Sequence, residues 1–158
     1  MRLTKRAESH VDSIAFLIGR AYYNYAGLLD RKLAELGLDQ YLAVGSGPVL
    51  FALFEDDGCI IKDLVRRVRI SPSTLTGTLE RLKRSGVIQT RRDAADGRAL
   101  RITLTPLGRS LEPKCRSLLR YLEQTLFRGM TAEEAQQLRA LLVKATENVR
   151  ETEPQPAG

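Results

Sequence analysis

The 158 residues contain no tryptophan, one histidine, two cysteines and two methionines, and aromatic residues make up only 6% of the chain. Each scarcity excludes a class of chemistry. With His10 alone, neither a histidine-based metal centre nor a nucleophile–base pair can be assembled. Cys59 and Cys115 are far apart and match no metal-ligand or C-x-x-C spacing, which excludes a thiolate zinc site. No Gly-rich phosphate loop and no paired-carboxylate motif occurs, so the sequence indicates neither an enzyme nor a cofactor. No apolar run approaches the roughly 20 residues that span a bilayer. Met1 to His10 is polar where a signal peptide would carry its apolar centre, so the expected location is the cytoplasm, with no membrane partner.

Positive charge is abundant and localised. The whole chain carries +6, whereas the segment from Lys62 to Arg101 holds eleven basic and four acidic residues, a net of +7. The remainder is therefore close to neutral. Clustered Lys and Arg raise the local potential and release condensed counterions from a phosphate backbone, which points to a polyanionic partner. A solvated basic face is the alternative that charge alone leaves open. An apolar content of 43% is enough to bury a core without disulfides or metal.

Periodicity divides the chain into helices around one hairpin. From Ser9 to Leu36 apolar residues recur at steps of mostly three and four, the period of one helix face, and Gly37 supplies the stop. Leu38 to Gly47 is an irregular connector. Pro48 then opens Val49-Leu50-Phe51-Ala52-Leu53-Phe54, a helix expected to be wholly buried and to end near Asp56-Asp57-Gly58. Cys59-Ile60-Ile61 suits a brief strand, and Lys62 to Val68 a small helix with Leu64, Val65 and Val68 inward.

Ser71 is a suitable N-cap and Pro72 a suitable first helical residue for the next helix, whose Leu75, Leu79 and Leu82 form a narrow buried stripe. Its opposite face offers Ser73, Thr74, Thr76, Gly77 and Arg81, a surface that can enter a major groove. Gly86 closes this helix. Val87 to Arg92 and Leu100 to Leu104 read as two strands joined by the Asp-Gly loop Asp93-Ala94-Ala95-Asp96-Gly97-Arg98. Helix followed by basic hairpin is the order of a winged helix-turn-helix.

Thr105-Pro106 starts another long helix through Leu107, Leu111, Cys115, Leu118, Leu122 and Leu126, with a kink or fragmented start expected at Pro113. Thr131 to Glu134 is a capping box that opens a final helix through Val149, and residues 151–158 read as a disordered tail. The expected fold class is mainly α with one β-hairpin.

These residues resemble the MarR family of bacterial winged helix-turn-helix transcription regulators. The resemblance is carried by Gly47 to Leu53, by Ser73-Thr74-Leu75-Thr76 with Leu79 to Ile88, by the wing from Asp93 to Arg98, and by Arg101 to Gly108. It implies a single MarR-like domain over residues 1–158, with dimerisation helices at 9–36 and 106–150 flanking a winged helix DNA-binding region at 48–105. It also implies a homodimer on a pseudo-palindromic operator in double-stranded DNA, associated with the nucleoid while bound. Long amphipathic helices outside the winged segment bury more apolar face than a small core covers, which agrees with a partner subunit.

In this frame Ser73, Thr74, Thr76 and Gly77 would face base edges, and Arg98 would enter the flanking minor groove. Lys62, Arg69, Arg81, Arg84, Arg91 and Arg101 would contact phosphates, although Arg81 could instead pack against the wing. Asp93, Asp96 and Gly97 would shape the wing turn, the two acids either holding it or pairing with arginines.

The resemblance further implies repression relieved by a small, often aromatic or phenolic, effector, for which Tyr22, Tyr25 and Tyr41 are candidate lining residues. A tyrosine stripe at helical spacing equally suits core or dimer seam. Cys59 follows an acidic loop and Cys115 lies on an apolar face, so both read as packing residues and not redox sensors. A sequence-independent architectural nucleic-acid-binding protein, or a winged-helix module for protein contacts, would keep the same fold without base readout.

Overall fold

The computed structural model describes residues 13–93 and 99–151. Along the chain run α1 (Ile14–Glu35), α2 (Gly47–Glu55), α3 (Ile61–Val68), α4 (Pro72–Arg84), β1 (Ile88–Arg92), β2 (Leu100–Leu104), α5 (Pro106–Leu126) and α6 (Ala132–Glu151). The class is therefore mainly α with one antiparallel hairpin, as the periodicities imply. Two compact units divide the chain, one ending at Leu118 and the other beginning at Leu119.

In the first unit α2 is the centre. Val49, Leu50, Ala52 and Leu53 are buried, and the helix packs against α3 and α4. The expectation of a wholly buried α2 is too strong, because Phe51 and Phe54 remain half-buried and meet each other edge to face at 5.7 Å. Leu64 of α3 and Leu75, Leu79 and Leu82 of α4 complete this core, each fully buried leucine stabilising the fold by about 2 kcal/mol.

The hairpin pairs Ile88 with Leu104, Thr90 with Ile102 and Arg92 with Leu100. Period-two alternation places Ile88, Ile102 and Leu104 in the core. Instead of the three-residue strand expected at Cys59-Ile60-Ile61, Ile60 alone bridges to Arg101, and the Cys59 carbonyl accepts from Ile102 N–H at 3.0 Å. Ile61 is already the first residue of α3, because extended Ile60 serves as its N-terminal flank.

The start of α5 is fixed to the end of α4. Thr105 Oγ1 donates to the Gly86 carbonyl at 2.6 Å and accepts from Gly108 N–H at 3.1 Å. A Cβ on Gly108 would run into the Val87 carbonyl, so only glycine allows this approach. α5 then continues as one helix through Pro113, so the fragmented start does not occur. Pro113 and Arg109, the residue whose carbonyl loses its helical donor, are both exposed, so water can satisfy that carbonyl.

In the second unit, Thr131 and Glu134 form a reciprocal capping box: Thr131 N–H donates to Glu134 Oε2 at 2.8 Å, and Glu134 N–H donates to Thr131 Oγ1 at 3.2 Å. Arg139 lies over the Phe127 ring at 5.8 Å and near Glu123 at 3.9 Å.

Among the described residues, one buried side-chain oxygen, Thr103 Oγ1 on β2, has no hydrogen-bond partner. An unsatisfied buried hydroxyl costs about 1 kcal/mol or more, so Thr103→Val is expected to raise Tm by about 3 °C. Thermal unfolding followed by circular dichroism checks this; a lower Tm would mean that the hydroxyl is satisfied.

Candidate nucleic-acid interface

The turn between α3 and α4 is short, and each of its ends has a local cause. Arg69 closes α3 in the left-handed region (φ 52°), its N–H reaching the Val65 carbonyl at 3.3 Å. It is the only non-glycine residue at positive φ among the described residues. Glycine would adopt that conformation without the Cβ penalty that arginine carries. Ser71 then caps α4 by accepting from Thr74 N–H at 3.3 Å, and Pro72 occupies the first turn. Arg67 holds α3 to the end of α2 by donating to Asp56 and to Glu55, each at 3.0 Å.

Burial decides which face of α4 is outward. Leu75, Leu79 and Leu82 are buried as their spacing requires, and Thr78 joins them, a polar residue outside the expected leucine stripe. Ser73, Thr74 and Thr76 are exposed, and a Cβ added to half-buried Gly77 would meet no atom within 4 Å. Local bonds engage the hydroxyl groups. Thr76 Oγ1 donates to the Pro72 carbonyl at 2.9 Å, and Ser71 Oγ lies 2.8 Å from Thr74 Oγ1 and 3.1 Å from Ser73 Oγ. Arg81 and Arg84 are exposed in the last turn, where the negative end of the helix dipole favours cations.

Lys62, Arg69, Arg91 and Arg101 are exposed as well. Arg91 and Arg101 stand directly opposite each other in the hairpin, a like-charge pair that is unfavourable by itself. Buried Asp93 relieves it by accepting from Arg101 Nε, while Arg101 Nη1 donates to the Gly58 carbonyl at 2.6 Å. Arg101 is thus an anchor of the hairpin base, with two of its nitrogens committed. Asp93 N–H also closes the strand end on the Ala99 carbonyl at 2.9 Å. Asp96, Gly97 and Arg98 lie outside the described residues.

Sequence reasoning treats Asp57 only as part of a helix stop. Its Oδ1 accepts from Leu104 N–H at 2.8 Å and its Oδ2 from Arg109, so it ties the α2–α3 loop to β2 and to α5. An acid beside glycine at a helix end is the one signal the sequence carries for such a capping role.

Tyr22 is exposed and meets Tyr23 edge to face at 5.8 Å. Tyr25, one turn along α1, is half-buried, and burial pushes its phenol above the usual value. Tyr41 is half-buried on the connector, and its carbonyl accepts from Ser85 Oγ at 3.1 Å, which links the connector to the end of α4.

Both thiols are buried. Burial, and then the Asp56 carboxylate, raises Cys59; burial, and then Glu112, pushes Cys115 up to about 11. Neither supplies appreciable thiolate at neutral pH. Among the described residues no cluster of three or more His, Cys, Asp or Glu side chains could hold a metal, and no helix is long and apolar enough to cross a membrane.

Residues 46–99, which contain the helix pair and the hairpin entry, match the model of the MarR family. The transcriptional regulator TtmR of Methylorubrum extorquens is 36% identical over 132 residues, a match that covers 84% of this chain and 60% of that protein. A crystal structure of a probable transcriptional regulator from Pseudomonas aeruginosa has a TM-score of 0.76 at 28% identity, over 87% of this chain and 99% of that one. A structure of Bordetella bronchiseptica BpsR, whose DNA binding is regulated by 6-hydroxynicotinic acid, has a TM-score of 0.75 at 28% identity, over 87% and 96% of the two chains.

Proposed function

Because this chain belongs to the MarR family of DNA-binding transcriptional regulators, we propose that it is a sequence-specific repressor. It binds a pseudo-palindromic operator as a homodimer and is released by a small aromatic molecule. The observation that carries this reading is α4. Its leucines are buried, its outward face is made of small residues, and cations stand at its far end and on the hairpin beside it. Such a helix fits into a major groove of about 12 Å width without steric conflict.

Ser73, Thr74, Thr76 and Gly77 are the base-facing positions. Lys62, Arg69, Arg81, Arg84 and Arg91 contact phosphates, and Arg101 adds to the local potential while anchoring the hairpin. Arg98 extends the wing into the minor groove, with Asp93, Asp96 and Gly97 shaping its turn. Helix α1 in the first unit exposes Ile14, Phe16, Leu17, Ile18, Tyr22 and Tyr23, and α6 in the second exposes Leu141, Leu142, Val143 and Val149. Monomers rarely leave apolar faces of this extent in water, which supports a second copy as the cover. Residues 9–36 and 106–150 are accordingly the dimerisation helices, and 48–105 the winged region.

Effector release is supported by the aromatic acid that regulates DNA binding by BpsR and by the phenols of Tyr22, Tyr25 and Tyr41. An effector acts by favouring dimers whose half-site spacing no longer matches one helical turn of DNA.

Binding of the full chain to the duplex upstream of its own gene and to a scrambled duplex, by fluorescence anisotropy over a range of salt, tests the reading. A preference of about a thousandfold or more for the native duplex is expected, with affinity on both falling steeply as salt rises. Equally tight, salt-sensitive binding to both duplexes and to every other regulatory duplex tried would mark a sequence-independent architectural protein. Negligible affinity for all of them at moderate salt would mark a module for protein contacts.

A further inference from the structure

We propose that Thr76 and Gly77 make the chain select a thymine at one position of each half-site through the C5-methyl group, an inference that rests on α4 being the base-contacting helix. From Pro72 to Leu79 the outward positions of α4 carry no charged and no amide side chain. Bidentate readout of guanine or adenine requires a guanidinium, an ammonium or an amide. On this helix the charged part of the face begins only at Glu80 and Arg81.

Hydroxyl bookkeeping removes most of the donors that are left. Four hydroxyl groups stand at this end of the helix, on Ser71, Ser73, Thr74 and Thr76. The Thr76 proton is donated to the Pro72 carbonyl at 2.9 Å. The contacts of Ser71 Oγ with Thr74 Oγ1 at 2.8 Å and with Ser73 Oγ at 3.1 Å consume one proton each. A single hydroxyl proton remains to be offered to a base, so readout by donation is slight, while the hydroxyl oxygens keep lone pairs that can accept from an exocyclic amine.

Beside those acceptors, the other outward groups are apolar. The bond to Pro72 fixes the Thr76 side chain in one rotamer, so its Cγ2 methyl is held in place. At the next position, Gly77 leaves open space where a Cβ would stand, and the helix backbone can approach a base edge closely. Thymine presents the only methyl group in the major groove. Packed against Thr76 Cγ2 over the Gly77 backbone, that methyl leaves water, whereas the other bases offer nothing apolar in its place. Specificity at this position is therefore a burial term set by one methyl group on each side.

The test enriches duplexes from a randomised pool with the full-length protein, then replaces each thymine of the enriched sequence by 2′-deoxyuridine, which lacks only the methyl. One thymine per half-site is expected to respond, with affinity falling about fourfold for one replacement and about fifteenfold for the symmetric pair, the worth of a buried methyl. Thr76→Ser keeps the hydroxyl and its bond to Pro72 but removes the methyl. It is expected to melt at the wild-type temperature and to bind the thymine and deoxyuridine duplexes equally. An enriched sequence with no responsive thymine, or a response that persists in Thr76→Ser, would overturn the assignment and leave the regulator reading intact. A pool from which no sequence is enriched would overturn both.

Discussion

The orientation of α4 is the constraint on which the interface depends, and burial sets it. Leu75, Leu79 and Leu82 are withdrawn into the core with Thr78 beside them, and α4 packs on both α2 and β1. Rotating the helix to present another face would expose three leucines, a cost of about 6 kcal/mol and a large part of a domain's net stability. The helix therefore has one outward face, and whatever α4 offers to a partner is offered by the residues on that face.

Charge is managed around this helix by local pairing. The first unit gathers cations on α3, α4 and the hairpin, and such a concentration repels itself. Carboxylates are placed where the repulsion would distort the scaffold: Asp93 beneath Arg101, Glu55 and Asp56 on Arg67, and Asp57 on Arg109. These pairs hold the loop, the hairpin and the start of α5 together. Arg81 and Arg84 carry no ion pair among the described residues and stay available to a polyanion. The exposed pairs contribute little to stability individually, and their main effect is geometric.

Much of this organisation is legible in the sequence because its causes are local. A Ser-Pro cap, a leucine every third or fourth residue and a period-two strand announce α4 and β2 before any tertiary contact exists. The departures occur where a distant neighbour decides. Ile61 enters α3 because the sheet takes only Ile60. Pro113 leaves α5 unbroken because its turn faces water. Asp93 pairs with an arginine as the sequence allows, but the choice of Arg101, like the contacts of Asp57 with Leu104 and Arg109, is made only once the hairpin register is fixed. Ser71 carries a cap signal in the sequence, but the engagement of the Ser71, Thr74 and Thr76 hydroxyl groups in local bonds depends on rotamers that composition does not reveal.

Affinity cleavage tests the outward face of α4 most directly. Ser73→Cys carries an iron chelate, which the buried native thiols Cys59 and Cys115 leave as the main adduct, and Leu141→Cys on α6 serves as the comparison. On the preferred duplex, cleavage centred on both half-sites from position 73 and none from position 141 is expected. Cleavage from position 141, with position 73 silent on a duplex that is still bound, would contradict the assignment of α4 to the groove.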